Sequence, residues 1–338
     1  MDKLKFWFHN ARPVSLPQSV MPALTAFFLA LSEEGFSWWL GLLGILGGCL
    51  AHLGMNLADD YFDYRKKETG FRDSLAREGI RARTAKCPYI TSGQATVQQT
   101  LWAAVGFGVA ALVPGAVILW QRGPVILLIA ALGIFLGESY SGDPLRFSYR
   151  GLGELDIGVM FGPLLMAGVY VAACGHLSWN LAAPMVSMGL LVTNILFVHS
   201  VLDYEADVRA GKATLAACFP RPEGRLFLLG IFLFVPDILT VLLVALGKTS
   251  PWYLVVLVTL PWSCALLVSV KAYLADPAAG VFQKGWYGPM GNWKQICERN
   301  IEWFMFRWYL ARNLLTAFAL IYILVSAGLA LAAALSCI

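Results

Sequence analysis

The sequence predicts an all-α, polytopic membrane protein, and three observations carry that reading. Hydrophobic residues make up 58% of the 338-residue chain and charged residues only 14%, a composition far more apolar than that of an ordinary soluble domain. Nine runs of predominantly apolar residues have about the 20-residue length that crosses a hydrocarbon core. Between them the basic residues alternate sharply from loop to loop, with 23 of the 25 lysines and arginines on one side of the implied membrane.

The first run, 15–32, follows a basic tail (Lys3, Lys5, Arg12) and reads as a retained helix, because no small-residue cleavage site follows Leu31. The second, 36–58, ends in a cluster of acids, and 99–120 begins after a long polar stretch. Runs 124–140, 153–174, 179–201, 224–246, 250–272 and 310–336 complete the set. Only Arg122 and Lys248 lie opposite the basic face, so the positive-inside rule places the N-terminus and the long loops in the cytoplasm and the C-terminus outside. The net charge of +4 follows from this topology and needs no nucleic-acid partner. Nothing reads as a linker between domains, so residues 1–338 form one membrane domain; its oligomeric state stays open. Seven cysteines contain no close pair of the metal or redox type.

Function is expected on the cytoplasmic face. Stretches 59–98 and 273–309 are longer than helix connections usually are. The second mixes Trp293, Ile296, Ile301, Phe304 and Trp308 with Lys294, Arg299 and Arg307, a pattern of an interfacial segment or of an aromatic belt that anchors the last helix. A weak repeat relates "HLGMNLADDYFDYRKKETG" to "HSVLDYEADVRAGKATL". Aligned at Asp60 and Asp203, the copies are four helices apart, which predicts two four-helix halves plus a ninth helix around a central cavity.

On a helical wheel Asp60 lies at about +40° and Asp63 at about −20° from Asn56, so the three share a face. His199, Asp203 and Asp207 form a second stripe at four-residue spacing. Acids at a helix C-terminus add to the negative end of its dipole and call for a cation. Mg2+ suits them, because it takes oxygen ligands from a few carboxylates together with substrate phosphates. Basic residues follow each stripe: Arg65, Lys66, Lys67, Arg83 and Lys86, then Arg146 and Arg150, then Arg209 and Lys212. Each fits phosphate binding and equally satisfies the topology rule. Asp237, after Pro236 inside the seventh run, is either functional or the cap of a broken helix. His52 reads as a buried hydrogen-bonding residue.

At these residues the chain resembles the UbiA superfamily of intramembrane prenyltransferases. The N-x-x-x-D-x-x-D motif appears as Asn56, Asp60 and Asp63, and D-x-x-x-D as Asp203 and Asp207. "RTAKCPYITSG" is similar to the family's R-T-x-x-R-P loop, with Cys87 at the second arginine, and "ARPVSLP", "ESYSGDPLRFSYRGLGEL" and "RAGKATLA" extend the match. Among the branches it looks most like the one that prenylates 1,4-dihydroxy-2-naphthoate for menaquinone; His199 and Leu202 stand where that branch has Asn and Arg.

The resemblance implies a Mg2+-dependent transfer of an isoprenyl group from a polyprenyl diphosphate to an aromatic acceptor within the cytoplasmic membrane. It makes Asn56, Asp60, Asp63, Asp203 and Asp207 the metal site and His199 a further catalytic residue. Arg12, Arg65, Lys67, Arg83, Lys86, Tyr140, Arg146, Arg150 and Lys212 become diphosphate ligands. Tyr61, Tyr140, Tyr149 and Tyr204 are candidates to shield an allylic cation. The alternatives are another acceptor (4-hydroxybenzoate, haem or a glycerol phosphate lipid) or, from a different class, a divalent-cation transporter. A transporter would carry its acids near the midplane, whereas here they cluster at helix ends.

Overall fold

The computed structural model describes residues 2–65, 87–209 and 211–336. Among them every regular element is helical, apart from one isolated bridge between Arg150 and Ala213. The apolar helices are α1 (Pro17–Ser32), α2 (Trp38–Arg65), α3 (Val97–Arg122), α4 (Val125–Ser141), α5 (Gly153–Cys174), α6 (Trp179–Leu202), α7 (Pro222–Ala245), α8 (Pro251–Ala275) and α9 (Glu302–Ser336). Seven of these are long and apolar enough to cross a membrane. All nine expected apolar helices are present among the described residues, but at 1.5 Å per residue α1 and α4 are only about 24 and 26 Å long, shorter than a core of about 30 Å.

Burial ranks the helices. The apolar window of α6 is 72% buried and that of α3 only 17%, so α6, bearing the second acidic stripe, is central and α3 is peripheral. A close crossing with α5 holds α6 in place. Gly162 lies so near Gly189 that a Cβ on it would clash with the Gly189 Cα, and Gly158 abuts Thr193 and the Gly189 carbonyl. Small residues that let backbones touch are the usual means of packing helices where lipid supplies no hydrophobic drive. Pro163 sits at this crossing, and α5 opens into a π-turn over Met160–Leu164, as a helix does when a proline removes a backbone donor. In contrast α7 continues through Pro236, so Asp237 is a buried mid-helix residue and caps nothing.

Polar contacts gather at two ends of the bundle. At one end Glu33 accepts hydrogen bonds from the Tyr170 hydroxyl (2.6 Å) and the Asn180 amide (3.3 Å) and faces His176 Nε2 at 3.1 Å. Arg122 caps the carbonyls of Gly35, Ala172 and Ala173 there. The other end gathers the N-terminal tail, the ends of α2, α4 and α6 and the loops after them. In the stretch after α8, Phe304, Arg307 and Trp308 belong to α9, which begins at Glu302, and not to a separate interfacial segment. Arg307 is 1% exposed.

Candidate active site

The C-terminal end of α2 is built around Arg12. Asn56 Nδ2 donates to the Ala11 carbonyl (2.9 Å) and to Ser15 Oγ (3.0 Å), which ties the N-terminal tail against the helix. Arg12 then donates to the Asn56 carbonyl at 2.7 Å and lies 3.3 Å from Asp59 and 3.2 Å from Asp60. Burial works against the guanidinium charge, but Asp60 and Asp59 outweigh it and hold the pKa above its ordinary value. Tyr89 donates to Asp60 at 3.0 Å. Burial, reinforced by that carboxylate, raises the pKa of the Tyr89 hydroxyl, which stays a donor. One turn on, Asp63 accepts from Tyr149 at 2.6 Å, with Arg146 4.2 Å and Lys212 5.7 Å from the same ring.

The second stripe straddles a helix end. Asp203 caps α6, and a short helix, Tyr204–Arg209, starts beyond it. The i to i−4 bonds from Asp203 N to His199 O (3.0 Å) and from Asp207 N to Asp203 O (2.9 Å) nonetheless run through the break. His199 Nε2 lies 3.2 Å from Asp203 Oδ2, and its ring meets Phe304 edge-on at 5.0 Å. Asp60, Asp63, Asp203 and Asp207 are all buried, at 1–3% exposure.

Two adjoining cavities separate the stripes. The larger, about 250 Å³, is lined by Arg12, His52, Asn56 and Asp59 on one side and by Tyr140, His199, Lys212 and Trp308 on others. The smaller, about 90 Å³, shares Tyr140, His199 and Lys212 and adds Glu154, Ser200 and Asp207. Asp60, Asp63 and Asp203 sit behind these walls. Arg65 is exposed and donates to Tyr61 (3.1 Å), while Arg150 is exposed and donates to the Pro144 carbonyl (2.9 Å). Arg146 lies over Tyr149 and 3.8 Å from Asp143. None of these three arginines lines either cavity. Of the candidate tyrosines only Tyr140 does; Tyr204 lies under Arg225 at 4.0 Å. Lys66, Lys67, Arg83 and Lys86 fall outside the described residues. His52 is a buried hydrogen-bonding residue, with Ser19 Oγ at 2.8 Å and Ser15 Oγ at 3.2 Å.

Two acids missed by the sequence reading belong to this region. Asp59 accepts from Ser141 at 2.7 Å and lines the larger cavity; at about −60° from Asn56 it lies just beside the motif's arc. Buried Glu154 accepts from Ser200 Oγ and, with both oxygens, from the Leu215 amide (3.1 and 3.2 Å). It thereby holds the loop that carries Lys212. The signal for it was an acid inside a predicted span.

The donor chemistry fits Mg2+. The two stripes supply hard oxygen ligands at the negative ends of helices. Among the described residues no three His, Cys, Asp or Glu side chains converge on a point that would hold a metal. Mg2+ commonly takes one or two carboxylates and completes its shell with phosphate oxygens and water.

A model of the UbiA prenyltransferase family matches residues 19–284. The 1,4-dihydroxy-2-naphthoate octaprenyltransferase of Mycobacterium tuberculosis is 28% identical over 259 residues, 75% of this chain and 82% of that protein. The enzyme of the same name from Haemophilus influenzae is 27% identical over 235 residues, 67% and 73% of the two chains. A UbiA homologue from Archaeoglobus fulgidus, solved with GPP and Mg2+, superposes with a TM-score of 0.59 at 15% identity, covering 94% of this chain and 99% of that one. At that identity the likeness is one of fold.

Proposed function

Since the chain belongs to the UbiA prenyltransferase family and is a membrane-embedded prenyltransferase, we propose that it transfers an isoprenyl group from a polyprenyl diphosphate to an aromatic acceptor. The first-choice acceptor is 1,4-dihydroxy-2-naphthoate, the substrate named for the mycobacterial and Haemophilus relatives, which makes this a step in menaquinone synthesis. The observation that carries the reading is the cavity beside the acidic helix ends, lined by Arg12 from the N-terminal tail and by Lys212 from the loop after α6.

Arg12 and Lys212, with Tyr140 as a hydroxyl donor, hold the diphosphate as its charge grows, and preorganised donors of this kind stabilise the bond-breaking transition state. Asn56, Asp60, Asp63, Asp203 and Asp207 would hold Mg2+, which when bound neutralises diphosphate oxygens and improves the leaving group. Arg65, Arg146 and Arg150, together with Lys67, Arg83 and Lys86 from outside the described residues, are proposed as further ligands of the diphosphate. The C–O bond breaks with its electron pair leaving on the diphosphate, and the acceptor ring attacks the allylic carbon. His199, beside Asp203, takes up the proton that the ring loses on regaining aromaticity. Apolar walls from Ile157, Met160, Phe161 and Trp308 keep water from the allylic cation.

We further propose nine membrane crossings, in two four-helix halves plus one. Support comes from α1, whose start lies beside Arg12 and whose end leads to Glu33 in the opposite polar cluster. The turn between α3 and α4 is only Gly123–Pro124, and Tyr149, just past α4, reaches Asp63. Both short helices therefore run from one polar end to the other. The basic loops put the N-terminus and the site in the cytoplasm and the C-terminus outside.

The deciding test incubates the purified chain with Mg2+, a radiolabelled polyprenyl diphosphate and a panel of aromatic and lipid acceptors, with Asp60→Ala and Asp203→Ala as controls. Label is expected in the naphthoate product, with both controls inactive. Transfer only to another acceptor would overturn the naphthoate assignment. Full turnover by both controls would overturn the site.

A further inference from the structure

Helices α8 and α9 are antiparallel and in register at two levels. Arg307 Nε donates to the Ser269 carbonyl at 3.0 Å, and the hydroxyls of Tyr253 and Ser326 meet at 2.9 Å. Along α9 these levels are about 28 Å apart at 1.5 Å per residue, close to the thickness of the hydrocarbon core. Interfacial residues flank both: Trp252, 67% exposed, beside Tyr253, and exposed Lys271 with Trp303 and Trp308 at the other.

A connection lying in water would touch these helices only beyond the Ser269–Arg307 level. The segment between α8 and α9 reaches well inside it. Trp286 packs on Trp262 with ring centroids 6.0 Å apart, and Asn313 Nδ2 donates to the carbonyls of both Tyr287 and Pro289 at 2.9 Å. Trp262 lies seven residues inside Ser269, and Asn313 six inside Arg307, so these contacts sit about 9–10 Å below the boundary. Tyr287 and Met290 are buried against the bundle, whereas Phe282 is 81% and Trp286 46% exposed on the outer side.

We propose that residues 280–291 form a re-entrant hairpin whose outer face, Phe282 and Trp286, contacts the acyl chains of bilayer lipids. Irregular backbone is tolerated at membrane depth only when its polar groups find partners within the protein. Asn313 supplies them to Tyr287 and Pro289, and Arg312 Nη2 gives Pro289 a second donor at 3.2 Å. The turn itself uses Gly288 at φ 83°, where a Cβ would press on Asn313 Nδ2 at 3.0 Å. Exposed Lys284 has a stem long enough to return its ammonium to the headgroups. The proposal rests on the membrane location of the bundle and is independent of the acceptor and of the catalytic assignment.

Nitroxide labels test it in the full chain, reconstituted in phosphatidylcholine vesicles after alanine replacement of the reactive cysteines. Labels at Phe282→Cys and Trp286→Cys are compared with Val268→Cys on the exposed face of α8 and with Ala278→Cys just past its end. Both hairpin labels are expected to collide with oxygen several-fold more than with a water-soluble nickel chelate, as Val268→Cys does. Collision chiefly with the chelate, as at Ala278→Cys, would overturn the proposal. So would shielding from both reagents, which identifies a second copy of the chain as the covering surface. Asn313→Leu is expected to shift the Phe282→Cys label towards the chelate, and an unchanged ratio would overturn the clamp.

Discussion

Asp60 shows how single residues set the chemistry. It is 3% exposed, 3.2 Å from Arg12 and 3.0 Å from Tyr89, so its charge is held in a polar nest behind the cavity wall. Asp60→Asn and Asp203→Asn keep shape and lose charge, and each is expected to lower turnover by about 10²–10³-fold, read by acceptor labelling. Asp60→Asn, which takes a carboxylate from half-buried Arg12, is also expected to lower the melting temperature in thermal unfolding. Glu154 acts through the loop it holds and is a positioning residue. Hydrogen bonds to a charged group contribute about 1.5–3 kcal/mol, so Glu154→Ala is expected to raise KM for the diphosphate by roughly 10- to 150-fold. Glu154→Gln, which keeps an acceptor for the Leu215 amide, should fall between, with kcat changed less than KM in both. Equal loss in kcat and in kcat/KM would assign Glu154 to the chemistry itself.

At the scale of elements, α5 and α6 decide whether the site assembles, because they bring Glu154 and His199 to the same cavity. Their crossing allows no Cβ at Gly162. Overpacking of this kind costs about 1–3 kcal/mol, so Gly162→Ala is expected to lower the melting temperature clearly. Gly106→Ala on peripheral α3 meets open space and should not; thermal unfolding in detergent checks both. Length also matters at this scale, since hydrophobicity marks nine segments and only seven have the extent to span a core unaided.

Across the whole molecule, the Glu33 cluster ties the end of α1 to the loop after α5, opposite the acidic helix ends. Burial pushes the Glu33 carboxyl up, but hydrogen bonds from Tyr170, His176, Ser178 and Asn180 outweigh it and leave the pKa below the ordinary value. A folded value below the unfolded one means that the stabilisation is present above the unfolded pKa, about 4.3, and is lost as pH falls through the folded value. The wild type should therefore melt above Glu33→Gln near pH 7, and the gap should close as pH falls below the ordinary carboxylate value of about 4.3. A gap that persists into acid would show that the cluster works through shape and not through charge.

The amino-acid sequence by itself determined the all-helical membrane architecture, the order of the apolar segments and the two acidic stripes, because each depends on local periodicity and on the cost of placing charge in hydrocarbon. Asn56, Asp60 and Asp63 were legible as one face because helical phase is a local property. Only the tertiary structure decided which side chains reach the cavity: Asp59 does while Asp60 turns to Arg12 and Tyr89, and Glu154 grips the Lys212 loop from 61 residues away in sequence to Leu215. The same holds for the descent of residues 280–291 between the levels of α8 and α9. Such contacts join residues far apart in the chain, and composition or spacing within a segment carries no record of which distant donor will meet a given acceptor.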